Sequence, residues 1–277
     1  MAILVSITAL INSAVNAVFD IAVNPLLRSA PGWVSNLIIS AVVGVLALAI
    51  YKYTSNQKQL GKVWDAIKAH LLGLILFKDS IAVTLKLQGK LFINSAMLLF
   101  HSLKPMAFMI IPVSLILAQL GQWYQARPLM PGEECVVTAK VSAESLNDIA
   151  LVAPDGVEIT AGPVAAPDKE EVCWKVQVGG EGVYELVFNA GSKKVSKMLV
   201  AGEGFQKLGS VKAGRDLGAV FMNPSEKPLS ADSEVKSIGI EYPERVSKTA
   251  GTDWWLGYFF VVSLVAALIV KPAMKVN

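Results

Sequence analysis

Residues 34–51 read VSNLIISAVVGVLALAIY, with no charge inside. At about 1.5 Å per residue, such a helix approaches the roughly 30 Å hydrocarbon core of a bilayer. Two more uncharged runs follow: MAFMIIPVSLILAQLG at 106–121, extending backwards toward Asn94, and WWLGYFFVVSLVAALIV at 254–270. Aromatic residues mark their ends. Trp33 precedes the first run, and Tyr51 and Tyr53 close it; Trp123 and Tyr124 close the second; Trp254, Trp255 and Tyr258 open the third. Amphipathic rings favour the headgroup layer, so these read as anchors.

Composition agrees. Of the 277 residues, 53% are hydrophobic and only 17% charged, against about 25% charged in a soluble domain. That excludes a disordered or fibrous chain and an ordinary soluble enzyme. A net charge of +3 argues against a nucleic-acid partner. Charge is distributed in blocks: residues 52–104 carry eight lysines and two acids, net +6, whereas residues 122–253 carry 14 basic and 19 acidic residues, net −5. The positive blocks belong in the cytoplasm. The expected topology has the N-terminus outside, a span at 34–51 and a helical segment 52–104 inside. A second span covers about 95–121, residues 122–253 lie outside, and a third span at 254–270 leads to a cytoplasmic tail. The expected location is the inner or plasma membrane, with the lipid bilayer as the first partner.

Residues 1–32 stand apart. They are hydrophobic like a signal peptide but lack its basic start. Thr8, Asn12, Asn16, Asp20 and Asn24 recur every four residues, which puts one polar stripe on an apolar helix. Such a helix lies at the outer interface or packs on the bundle; a fourth span is the alternative. Pro25, Pro31 and Gly32 break the chain before the first span.

Within 52–104, Leu60, Trp64, Ile67, Leu71 and Leu74 alternate steps of four and three, the seam of a coiled-coil-like helix. Asp79 or Ser80 is the candidate cap of a second helix running to about Lys104, with Ile81, Leu85, Leu91 and Phe92 on its apolar side. The pair predicts a hairpin under the membrane whose lysines face anionic lipid, a partner such as the ribosome, or plain solvent.

Beyond Tyr124 the pattern changes to short alternating strands: 134–141, 148–153, 156–159, 172–178, 183–188 and 195–200, separated by turns such as Pro154-Asp155-Gly156 and Gly179-Gly180. This spacing predicts an all-β, sandwich-like extracytoplasmic domain with its core in 130–201. Residues 201–253 show one convincing strand, near 235–242, and read as an extended return to the membrane. Cys135 and Cys173 lie on two of the strands. In an exported domain they are a candidate disulfide; two separate buried thiols are the alternative.

Motifs for covalent chemistry are missing. The two histidines, His70 and His101, have no acid or cysteine cluster at metal-ligand spacing. No Walker loop, HExxH or GxSxG occurs. Gly202, Gly204 and Gly209 echo a glycine-rich loop without a strand–helix context. The expectation is a protein that is not an enzyme and needs neither metal nor cofactor. Polar residues beside the spans remain. Asn94, His101, Lys104, Ser114 and Gln119 are the candidates to line a hydrophilic groove, the alternative being hydrogen bonds between helices. Pro105 and Pro112 kink the second span.

The order of an outside N-terminus, a span, a helical hairpin and two further spans resembles the YidC/Oxa-type membrane-protein insertase superfamily in its three-span, archaeal-like form. Asn16–Leu26 (NAVFDIAVNPL), Tyr51–Gln57 (YKYTSNQ) and Ser102–Met106 (SLKPM) with Pro112 carry the likeness, which covers about residues 10–121 and 254–270. The β domain between the last two spans departs from that form. So does the first span, which has no counterpart of the groove arginine. The resemblance implies an insertase-like chaperone that helps membrane proteins insert or fold, meeting nascent chains, the ribosome or a translocon. The competing expectation is a structural or assembly subunit of a larger membrane complex, docked through the β domain.

Overall fold

The computed structural model describes residues 2–191, 193–214, 216–230, 233–246 and 254–276. The end of the expected return segment, 247–253, lies outside the described residues. The described residues form seven helices: α1 (Ala2–Ala22), α2 (Asn24–Ser29), α3 (Gly32–Thr54), α4 (Gln57–Leu76), α5 (Ile81–Tyr124), α6 (Leu217–Met222) and α7 (Trp255–Met274). Eight strands accompany them: β1 (Glu134–Val141), β2 (Ile149–Val152), β3 (Val157–Ala166), β4 (Glu171–Val178), β5 (Gly182–Ala190), β6 (Lys193–Ala201), β7 (Val211–Ala213) and β8 (Val235–Ile240). Four helices, α1, α3, α5 and α7, are long and apolar enough to cross a membrane.

The chain forms two compact units, one of residues up to Asn36 with Ser114–Tyr258, the other of Leu37–Val113 with residues from Phe259 onward. In the first unit the strands make two antiparallel sheets, ordered β3-β4-β1-β8-β7 and β2-β5-β6. Alternation decides which faces meet. Along β1, Cys135, Val137, Ala139 and Val141 are buried; along β4, Val172, Trp174, Val176 and Val178 are. They join Leu186, Phe188 and Leu199 of the smaller sheet in one core, with Trp174 edge-on to Phe188 at 5.7 Å between centroids.

Residues 201–246 are no simple return. β8 is hydrogen-bonded to β1 on one side and β7 on the other, so the segment is built into the larger sheet. The expected disulfide is also absent: both cysteines are free. Cys135 stands opposite Val176 and Cys173 opposite Thr138, three positions out of step on paired strands. Three positions put the two about 10 Å apart along the sheet and on opposite faces, beyond disulfide reach. Burial pushes the Cys135 thiol up to about 12.

In the second unit, α4 and α5 form a helical hairpin. Asn56 caps α4 by accepting from the Gln59 backbone N–H at 3.2 Å. α5 does not stop near Lys104: it runs unbroken for 44 residues through Pro105 and Pro112. The seam of α4 is shifted from the expected one. Leu60, Val63 and Ile67 are buried, while Trp64 and Leu71 are 43% and 46% exposed. Gly73 lies against Leu87, where a Cβ would sit 3.0 Å from Leu87 Cδ1. The missing side chain at Gly73 is what lets the two helices approach at this end.

Candidate functional site

The five expected groove residues do not gather. Asn94 and His101 are half-buried on α5, and the His101 ring is tied to the Met97 carbonyl one turn back at 2.7 Å. Lys104 is exposed and Ser114 half-buried. Gln119 is 1% exposed and faces no groove. Its amide donates to Asn16 Oδ1.

That bond belongs to a ladder that explains the polar stripe of α1. Asn12 Nδ2 donates to the Val220 carbonyl and Asn16 Nδ2 to the Pro224 carbonyl, both at 2.7 Å. Lys207 Nζ reaches Asn16 Oδ1 at 3.3 Å and Asp20 at 3.9 Å. Asn24 donates to Asp20 at 2.5 Å. The stripe is therefore turned toward α6 and the segment after it. The apolar side of α1 points away, with Leu10 73%, Val18 63% and Ile21 81% exposed. A helix with its polar side inward and its apolar side outward fits a lipid surround, not water.

The aromatic belts divide in the same way. Trp33, Tyr53 and Trp254 are exposed. Trp123 and Tyr124 are not anchors, being 1% and 0% exposed. Tyr124 is hydrogen-bonded to Ser35 through its hydroxyl at 2.7 Å, stacks on Trp255 and meets Phe205 edge-on. A hydroxyl partner and two ring neighbours make burial more favourable than the headgroup layer.

The second unit holds a cavity of about 590 Å³ between α3, α5 and α7. Val43, Gly44, Ala47 and Leu48 form one wall; Met106, Met109, Ile110 and Val113 another; Phe260, Leu264 and Ala267 a third. Tyr51 and Ser263 are its polar-tipped side chains. This cavity is apolar, and none of the five candidates lines it. α3 and α7 touch at Gly44: a Cβ there would run into the Ser263 carbonyl. The sequence hid this cavity because its residues are ordinary span residues. A small residue such as Gly44 within an apolar run is the one available signal.

Among the described residues no group of three His, Cys, Asp or Glu side chains stands close enough to hold a metal ion. What the geometry defines is a class: a helical protein with four membrane-compatible apolar helices and a separate two-sheet β domain. Comparison with family models, curated proteins and solved structures finds no match to the chain.

Proposed function

We propose that the chain is an insertase-like membrane chaperone whose apolar cavity between α3, α5 and α7 receives an apolar segment of a client membrane protein. The observation that carries this reading is the cavity itself. It is large enough for several side chains of a client helix and, Tyr51 and Ser263 apart, is lined by apolar residues. Within a bilayer, helices associate by packing and close backbone approach, which small residues permit. Gly44, Ala47 and Ala267 supply such residues, and Met106 and Met109 supply adaptable thioether chains. The client is held by shape, with no bond made or broken. This revises the expected mechanism from a wet groove to a dry one.

The sequence supports the sidedness that the role requires. The lysine-rich hairpin belongs on the cytoplasmic side, where nascent chains emerge, and the net-negative β domain outside. The ladder from Asn12, Asn16 and Asp20 to residues 207–224 supports a place for α1 against that outer domain rather than across the membrane.

A photo-crosslinking residue at Met109, which lines the cavity, tests the role against one at Ile111, which is 62% exposed on the same helix. With stalled nascent membrane proteins, Met109 captures the nascent chain and Ile111 captures lipid. Capture of one fixed neighbour from Met109, with or without nascent chains, contradicts the chaperone.

One feature favours the competing role of assembly subunit. β3 is an edge strand, almost wholly exposed, with Val164 62% and Ile159 37% accessible. An open edge invites a partner strand. A stoichiometric complex on native gels after gentle solubilisation, lost on replacing Val164 by Lys, distinguishes that role from transient, ribosome-linked association.

A further inference from the structure

A second cavity, of about 580 Å³, lies wholly in the first unit. Its walls include Trp33, Phe205, Arg127 and Arg245, and the backbone of the Gly202–Gly204 turn. The two guanidinium groups are not equivalent. Arg127 makes a two-pronged pair with Glu133, both bonds 2.8 Å. Arg245 makes no such pair among the described residues. Its Nε donates to the Ala126 carbonyl at 3.2 Å, its guanidinium lies 4.5 Å over the Phe205 ring, and its Nη2 is buried with no acceptor among the described residues. Burial, together with repulsion from Arg127, pulls its pKa below the ordinary arginine value.

A cation lining a cavity beside a second cation, with one of its nitrogens lacking an acceptor among the described residues, calls for an anion. Glu203, on the exposed part of the turn, limits how much negative charge the cavity accepts. A monoanion fits better than a dianion. Gly202 and Gly204, which line the same cavity, both take positive φ, and no heavy atom lies within 4 Å of where a Gly204 Cβ would be. Trp33, 42% exposed at the start of α3, is an aromatic of the kind that favours the headgroup layer.

We propose that this cavity binds a monoanionic phosphate group through Arg245, with Arg127 as the neighbouring cation. The phosphodiester of a membrane lipid headgroup is the source that best suits its place beside Trp33; a soluble phosphate shares the chemistry. Guanidinium suits phosphate because its forked donors match two phosphate oxygens. The site does not depend on the chaperone role: it stands or falls on lipid retention, whether or not clients bind elsewhere.

The test uses the full chain, purified in a maltoside detergent that carries no phosphate. Three probes are added separately: phosphatidylglycerol, diacylglycerol with the same acyl chains, and inorganic phosphate. Native mass spectrometry counts retained lipid and thermal unfolding reads stabilisation. The expected result is one phosphatidylglycerol retained and a raised Tm, with no effect from diacylglycerol. Arg245→Gln weakens retention about tenfold or more, the loss expected for one charge-assisted pair. Glu133→Gln strengthens it, because Arg127 is then free to join. That gain is a readout a merely structural arginine would not give, and it holds even if Arg245→Gln folds poorly. Stabilisation by inorganic phosphate that is lost in Arg245→Gln supports the site with a soluble source. Equal retention in wild type and Arg245→Gln, equal binding of diacylglycerol, or no gain in Glu133→Gln overturns the proposal.

Discussion

The β strands and the long helices of this protein treat the same residue types in opposite ways. Along β1, β4 and β5, the apolar residues of alternate positions lie inside, with Val137, Val176 and Phe188 at 0% exposure. Along α5, Phe92, Leu99 and Phe100 are 78%, 65% and 73% exposed, and along α7 Ile269 is 73% exposed. One chain cannot satisfy both patterns in one solvent. The strands fold as if in water, where burying apolar area is the main driving force. Helices that expose this much apolar area fit surroundings as apolar as they are, and four of them are long and apolar enough to cross a membrane. α1 is the sharpest case, with its polar ladder inward and Leu10 and Ile21 outward.

A pair of phenylalanine truncations, one on each kind of surface, puts the contrast at most risk. Phe188→Ala in the β core is expected to cost about 3–5 kcal/mol, because it leaves a cavity where Trp174 packed. Phe100→Ala on the exposed face of α5 is expected to change stability by less than about 0.5 kcal/mol in a bilayer. Denaturant unfolding of the reconstituted protein measures both. Comparable losses would mean that the exposed helical faces are covered by protein after all.

Next comes the charge buried in the domain. Lys197, with 0% exposure, is ion-paired with Glu226 and donates to the Gly209 carbonyl; burial lowers its pKa, against the pull of Glu226. Lys197→Ala leaves Glu226, among the described residues, with Lys212 at 3.7 Å, and is expected to cost about 3 kcal/mol. Lys197→Met, which refills the space, should cost less than Lys197→Ala in the same assay.

The α1 ladder contributes less. Asn12→Ala removes one hydrogen bond to the chain at 220–224, worth about 1 kcal/mol; Asn16→Ala removes another and also the acceptor of Gln119 and Lys207, so it should cost more. The double variant should release α1, read as faster protease cleavage near residue 23 with the β core unchanged. Unchanged cleavage would mean that the apolar face, not the stripe, holds α1.

The weakest effect is electrostatic. Two hydrogen bonds from Arg127 and one from the Met130 backbone hold Glu133 down at about 2. A depressed carboxylate stabilises the fold above its ordinary titration range, and that stability is lost as pH falls from about 4.5 toward 2. Both side chains are about one-third exposed, so solvent screening keeps the pair near 1 kcal/mol or below. Glu133→Gln should lower stability at neutral pH by no more than that and flatten the profile in the acid window. A profile with the same acid slope in both proteins would assign the loss to other carboxylates.

Much of this contrast was readable from residue order alone. Strict alternation marks β1 from Glu134 to Val141, because one face is core and the other water. Three things were not readable. β7 is three residues long and α6 six, too short for any period to show. The α4 seam slipped from Val63 to Trp64 because apolar residues occupy both faces of the helix, Trp64, Leu71 and Leu72 lying exposed opposite the buried Leu60, Val63 and Ile67. The cavity and the Arg245 site join residues up to about 220 positions apart, and no local pattern encodes such a meeting. Gln119 shows the same limit: a lone amide in an apolar run reveals that it needs a partner, not that the partner is Asn16.

Whether a membrane separates the two kinds of surface is decided by the accessibility of lysines in intact cells. Lys175 and Lys193 of the β strands should react with a membrane-impermeant amine reagent before permeabilisation. Lys62 and Lys86 of the hairpin should react only afterwards. Labelling of all four before permeabilisation, or of none, would place both surfaces on one side and refute the separation.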